Sequence, residues 1–339
     1  MGCLPLESLH AQIFPGLEGE VLADAIRDEY APTQLLNFTQ AKDTLYARIF
    51  IEGDSVRCIY SGLAHYLPSG VDPSQWVFGS GSEVNSINLE HGWPQAKGAG
   101  DGTNGQMNMY NLFPSRVAVN SDRGDYPYHN IDDNLTQKWY YLGQELTTKP
   151  ASNADAYSEF ETGFFEPRES VKGDIARAMF YFWTIYRQDA IAADPAYFEM
   201  QRESLCLWHE EDPVDDFEAL RNERIASYQG GKENPFVLDC SLVNRAYCSQ
   251  NMDCSSVPVA EVEKPEAELH FDISGHRVQI LSDFPHRWNL VITSISGAYV
   301  YATSFQNDQW CDPIQLGSGV YVAIAYSGQE KVVSKFFIP

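Results

Sequence analysis

The strongest pattern in the chain lies at residues 171–187, VKGDIARAMFYFWTIYR. Ile175, Met179 and Trp183 recur every four residues and Phe180 widens the row, which predicts a helix with one broad apolar face. Further helices are predicted at Gly19–Tyr30, across roughly 195–208, and at 215–228, where Asp215 and Asp216 open the helix at the positive end of its dipole. The run QGGKENPF then stops that helix with two glycines and a later proline. LYARIFIEG and VRCIYSG read as strands. From Trp76 to Tyr128 the chain is rich in Gly, Asn and Ser, which predicts loops that carry function on a short scaffold.

The pattern changes at Asn251. SSVPVAEVEKPEAE has neither helical nor strand period, and residues 251–268 read as a linker. Beyond it, FDISGHRVQI, WNLVITSISGAYVYATSF and GSGVYVAIAYSGQEKVVSKFFI are short β runs separated by turn signals, so 269–339 is expected to be a small all-β sandwich. The fold class is therefore α+β: a mixed domain over 1–250, a linker and a β domain. A chain of 339 residues suits two domains with ample core. No uninterrupted apolar run is long enough to cross a membrane as a helix. The first residues, MGCLPLESLHAQIFPG, lack a basic and then apolar leader, and the small-residue site around Leu9-His10-Ala11 fits the remnant of an export signal.

Composition adds bounds. Apolar residues at 44% and aromatics at 13% mark a globular chain. The net charge of −24 is uneven: 1–250 carries 18 Lys and Arg against 37 Asp and Glu, whereas 269–339 carries 4 against 5. This acidity argues against a protein that coats nucleic acid nonspecifically, since phosphate neutralisation needs cations. It does not exclude an enzyme with one local basic groove. The seven cysteines show no CxxC spacing, which argues against a zinc or thioredoxin-like site. Cys240, Cys248 and Cys254 cluster where one or two disulfides would suit an exported protein, and scattered thiols fit the sequence equally well.

Candidate chemistry begins at INLEHGWPQ, where Glu90 and His91 are adjacent. A neutral imidazole takes a proton from water near neutral pH. A hard cation wants oxygen ligands, one or two of them from the protein. His91 is thus the candidate base and Glu90 the candidate oxygen ligand, with Asn120 in NSDRGDYPY a second, neutral one. Arg123 follows Asn120 by three residues, so on a helix it shares nearly the same face, placed to meet a phosphate or clamp a carboxylate. Plainer roles stay open: Asn120 as an N-cap, and Arg123 with Asp125 as a surface turn pair.

The segments LEHGWPQ, NLFPSRVAVNSDRGDYPY, FEPRESVKGDIARAMFYF and EDPVDDFEALRNERIASYQGGKENPFV, taken in that order, resemble the bacterial endonuclease I family. These are secreted or periplasmic nonspecific nucleases with a ββα-metal (His-Me) finger, and the resemblance spans about 40–248. It implies His91 as the general base, and Glu90 with Asn120 as ligands of a single divalent metal, Mg²⁺ with Mn²⁺ and Ca²⁺ as alternatives. It implies Asn111 as a support for the finger and Arg177 as a structural arginine paired with Glu166 or a neighbouring acid. Opposite-facing neighbours on a strand would serve one site if Glu90 sits at the strand's end. Tyr110 and Asn108 depart from the family's usual His and acid, and the loop KGAGDGTNGQMN is short. Lys97, Arg116 and Arg123 are left as the candidates to hold substrate phosphate.

At the chain's end, Gly297, Gly319-Val320-Tyr321 and Lys335 fill places that resemble a type IX secretion sorting domain. The expectation is a secreted or cell-surface monomer that engages secretion machinery through this domain and hydrolyses phosphodiester bonds in DNA and RNA with little sequence preference. The alternative is a catalytically weakened extracellular protein that binds DNA or a glycan, or an adhesin.

Overall fold

The computed structural model of the chain describes residues 12–79 and 86–248, and towards the C-terminus 268–272, 277–281, 287–294, 299–306, 316, 319–327 and 330–338. The small-residue site at Leu9–Ala11, the linker up to residue 267, Cys254 and Gly297 lie outside the described residues. The chain divides into two compact units, Met1–Val257 and Pro258–Pro339.

In the first unit the described helices are α1 (Gly19–Tyr30), α2 (Phe38–Thr44), α3 (Pro73–Gly79), α4 (Asn104–Met107), α5 (Val117–Arg123) and α6 (Lys172–Ile185), followed by α7 (Arg187–Ala193), α8 (Arg202–Glu211), α9 (Asp216–Ala226), α10 (Pro235–Leu238) and α11 (Ser241–Ala246). Helix α1 has the bounds its pattern predicts. Helix α9 begins one residue late because Asp215 is its N-cap and accepts from Glu218 N at 2.7 Å.

Helix α6 differs from expectation in kind. All 14 of its residues are buried, so it is the axis of the core rather than a one-faced surface helix. Its polar residues enter the interior with partners, as buried charge requires. Lys172 Nζ pairs with Glu166 Oε1 at 2.7 Å, and Arg177 grips Glu218 with Nε to Oε1 at 2.7 Å and Nη2 to Oε2 at 2.5 Å. Arg177 is therefore structural, but its acid is Glu218; Glu166 is taken by Lys172.

Two other expectations are corrected. Within LYARIFIEG only Ile51–Glu52 is a strand; Leu45–Ile49 is a π-helical turn that buries Leu45, Tyr46 and Ile49 on one side. Tertiary burial outweighs the β preference of those side chains. The helix expected from 195 starts only at Arg202, because Asp194 Oδ1 accepts from Ala196 N at 3.1 Å and holds a turn there.

The strands form small antiparallel sheets. β1 (Ile51–Glu52), β2 (Ser55–Arg57) and β3 (Ala64–Tyr66) make one, and β4 (Ile87–His91) with β5 (Leu112–Arg116) make a hairpin. β6 (Lys138–Tyr141), β7 (Gln144–Leu146), β8 (Ser158–Glu161) and β9 (Phe164–Glu166) are ordered β7-β6-β8-β9. Within the Gly- and Asn-rich stretch from Trp76 to Tyr128, β4, α4, β5 and α5 are the short scaffold between the loops. A disulfide joins Cys206 of α8 to Cys248.

The second unit contains the ladder β10 (Glu268–Asp272) and β11 (Arg277–Leu281), and a sheet of β12 (Arg287–Ser294), β13 (Tyr299–Gln306), β14 (Gly319–Ser327) and β15 (Glu330–Ile338) in the order β13-β12-β14-β15. Leu290, Ile292, Ala323 and Ala325 are buried at alternating positions, as one inward-facing sheet surface requires. Gly319-Val320-Tyr321 opens β14, and Lys335 lies opposite Val322.

Candidate active site

The site is built on the β4–β5 hairpin and the helix that continues from β5 without a break. In the register Leu89 faces Pro114, Glu90 faces Phe113 and His91 faces Leu112. Gly92 N donates to Asn111 O, and Pro114 O turns away from β4 to accept from Ile59 N. The alternation of an antiparallel ladder therefore turns the carbonyls of Leu89 and His91 outward along the far edge of β4. A proline at 114 costs no ladder bond, because its missing N–H belongs to the outward set.

Helix α5 closes that outer edge. Asn120 Nδ2 donates to Leu89 O at 3.1 Å and to Asn88 Oδ1 at 2.9 Å. Arg123 Nη1 donates to His91 O at 3.2 Å, and Nη2 to Gly92 O at 2.6 Å. Helix residues three apart thus hold strand carbonyls two apart. Asn120 sits inside α5, which begins at Val117, so it is not an N-cap. A carbonyl partner identifies the nitrogen end of its amide. Its Oδ1 receives no hydrogen bond among the described residues.

Glu90 and His91 both lie within β4, so the strand's end does not merge their directions; they leave opposite faces, one peptide unit apart. Glu90 is 2% exposed. Its Oε1 accepts from Tyr60 Oη at 2.8 Å and lies 3.2 Å from Arg123 Nη1, and no described residue donates to Oε2. Burial pushes this carboxyl up, against the pull of Arg123 and Tyr60. Tyr60 Oη is also 2.6 Å from Tyr128 Oη, and the Arg123 guanidinium lies over the Tyr128 ring at 4.6 Å.

His91 is fixed on two sides. Its ring stacks on Phe38 of α2, centroids 5.7 Å apart at 20°, and Nε2 is 3.2 Å from Gln106 O. A carbonyl only accepts, so Nε2 carries the proton and Nδ1 keeps its lone pair. Burial, with Arg123 adding repulsion, lowers the imidazole to about 4. Such a ring is neutral across physiological pH, which a base requires.

The expected phosphate contacts fare differently. Arg123 and Arg116 are both buried; Arg116 Nη1 donates to the carbonyls of Leu142 and Gln144. Both are pinned on backbone oxygens and neither faces solvent, so the carboxylate clamp is the role that Arg123 fills. Lys97 Nζ is held by Asp194 at 3.0 Å and lies 3.7 Å from Asp125, while its carbonyl accepts from Trp93 Nε1. Asn111 is a support: Oδ1 accepts from Trp93 N at 2.6 Å and Nδ2 donates to Trp93 O at 3.1 Å, which closes the chain after His91. Tyr110 is core, with Oη 3.0 Å from the carbonyls of Asn222 and Lys232.

Among the described residues no three His, Cys, Asp or Glu side chains converge on one point. The arrangement does not call for such a cage. Glu90 Oε2 and Asn120 Oδ1 receive no hydrogen bond among the described residues, and a carboxyl and an amide oxygen are the donor types a hard cation takes. Three contributors carried no signal in the sequence around Glu90: Tyr60, Phe38 and the Gln106 carbonyl.

Residues 27–240 match the endonuclease I family. The chain belongs to that family. Among curated relatives, an extracellular ribonuclease of Bacillus subtilis (strain 168) is 31% identical over 173 residues, which is 47% of this chain and 53% of the relative. An extracellular deoxyribonuclease of Aeromonas hydrophila is 32% identical over 130 residues, 38% of this chain and 48% of the relative. A periplasmic deoxyribonuclease of the same organism is 30% identical over 129 residues. The chain spans about half the length of the curated relatives it matches. The ββα unit of this endonuclease I family member, with Glu90, His91 and Asn120 on its elements, lies inside the matched region.

Proposed function

We propose that the protein is a secreted, divalent-metal-dependent endonuclease that hydrolyses phosphodiester bonds in DNA and RNA. The observation that carries this reading is the ββα unit that presents His91, with Nε2 on the Gln106 carbonyl and no hydrogen bond to Nδ1 among the described residues, together with Glu90 and Asn120, each with one oxygen that receives no hydrogen bond among them. Nδ1 takes a proton from water as its oxygen bonds to phosphorus. The bond from phosphorus to the 3′ oxygen breaks, and that oxygen is protonated from solvent. Glu90 and Asn120 would hold one divalent metal, Mg²⁺ by ligand type with Mn²⁺ or Ca²⁺ as alternatives, which supplies positive charge to the phosphate and the leaving oxygen. Arg123 orients Glu90 and Tyr60 fixes one of its oxygens.

Both ribonucleases and deoxyribonucleases occur among the relatives, which supports a substrate chosen by its phosphate backbone. The Cys206–Cys248 disulfide supports an oxidising destination. Tyr110 is buried with its hydroxyl on the carbonyls of Asn222 and Lys232, which supports a structural place for the altered motif. We include export through residues 269–339 in the proposal; their deletion is expected to keep the protein inside the cell.

The test is cleavage of plasmid DNA and ribosomal RNA by purified full-length protein with Mg²⁺, with EDTA as control. His91→Ala is expected to keep the fold and lose about 100-fold or more in rate. Intact substrates with a folded wild-type protein, or undiminished cleavage by His91→Ala, would overturn the reading.

A further inference from the structure

We infer that Gln106 and Asp101 form a positioning pair that holds the His91 imidazole in its base-competent tautomer. The inference rests on the proposed reaction but stands on a separate set of contacts. The atom that fixes His91 is a backbone carbonyl, so its placement depends on whatever fixes residue 106.

The Gln106 side chain is tied at both ends. Its Oε1 accepts from Gly102 N at 2.9 Å, and because a backbone N–H only donates, the amide's orientation is settled. Its Nε2 then donates to Asp101 Oδ1 at 2.7 Å. Gln106 N donates to Thr103 Oγ1 at 3.2 Å, and that hydroxyl donates to Gly100 O at 2.7 Å. Residue 106 is thereby fastened at its amide nitrogen and at both ends of its side chain. Its carbonyl is the remaining polar group, and it faces His91 Nε2.

The loop that carries this knot is anchored from below. A Cβ at Gly105 would lie 2.8 Å from the Phe182 ring of α6, and one at Gly98, where φ is +121°, would lie 2.9 Å from Ala190 of α7. The glycines let the loop sit on the buried helices. Asp101 is exposed, yet Gln95 Nε2 also reaches its Oδ1 at 3.4 Å, so it gathers the loop's two halves. Loss of the Asp101–Gln106 bond frees the carbonyl to move, and the imidazole is then free to protonate at either nitrogen. A ring protonated on Nδ1 is unable to act as the base.

The experiment uses the full chain labelled with ¹⁵N-histidine, with His91→Ala to assign the signal, and plasmid cleavage with Mg²⁺ alongside. Wild type is expected to show His91 as a single Nε2–H tautomer. Gln106→Ala and Asp101→Ala are expected to give an averaged, mixed-tautomer signal and to lower kcat about tenfold with KM changed less than about twofold. Asp101→Asn keeps an oxygen acceptor for Gln106 and is expected to recover most of both losses, which separates the hydrogen bond from the charge of Asp101. If Gln106→Ala fails to fold, the Asp101 pair decides, since that residue is on the surface. A wild-type tautomer in Asp101→Ala, or equal losses in Asp101→Ala and Asp101→Asn, overturns the inference. A tautomer that responds as described in a wild-type protein without cleavage sinks the proposed function and leaves the positioning intact.

Discussion

His209 of α8 gives the sharpest quantitative prediction, because its neighbours dictate its charge. Its Nδ1 lies 3.4 Å from Arg177 Nη1, a group that only donates, and its Nε2 is 2.9 Å from Cys240 O, which only accepts. Both contacts require the neutral ring, and the residue is 4% exposed. Burial first, and then Arg177, lowers it from 6.5 to about 4. Below pH 6.5 the unfolded chain gains a proton here that the folded chain refuses until about pH 4. Stability is therefore lost as pH falls through that window, and the site contributes no pH dependence well above 6.5. At 1.36 kcal/mol per unit the loss is about 1 kcal/mol near pH 5.5 and about 2 to 3 kcal/mol near pH 4.5. The assay is urea unfolding followed by tryptophan fluorescence, comparing wild type with His209→Gln at about pH 7.5, 5.5 and 4.5. Glutamine accepts and donates at similar places and does not titrate, so the variant is expected to resist acid better by those amounts. Parallel stability curves for the two proteins would refute the reasoning.

Two further outcomes rest on particular contacts. Tyr60→Phe keeps the ring but removes the donor to Glu90 Oε1, and is expected to weaken Mn²⁺ binding about 10- to 100-fold by calorimetry; an unchanged affinity would discard Glu90 as a ligand. Gly173→Ala would place a Cβ 1.9 Å from Asp212 O, a backbone atom that has no way to step aside, and is expected to cost about 3 kcal/mol or more in chemical unfolding; a near-wild-type midpoint would contradict the packing.

Legibility in the chain tracks the range of the interaction involved. Helix α1 and the Asp215 cap of α9 depend on neighbours within a few residues, so local pattern suffices for both. The pairing of Arg177 depends on which of many acids the fold brings near, and Glu218 lies 41 residues away with no local mark. Burial of Arg116 and Arg123 is equally hidden, because a cation that faces carbonyls reads the same in one dimension as one that faces solvent. At the site, Glu90, His91 and Asn120 are visible as residue types. The Gln106 carbonyl is not, since every residue has one. Tyr60 lies in a run that reads only as strand.

The Cys206–Cys248 bond has a mechanical consequence. Cys248 ends the described part of the first unit, and its sulfur is bonded to α8, which packs on α6. Any pull applied to the chain beyond residue 248 reaches a covalent anchor on α8 before it reaches α11. A cut beyond residue 248 likewise leaves a tethered end. The first unit is thus closed by a covalent bond at its last described residue, so unravelling from that end is checked before it enters α11.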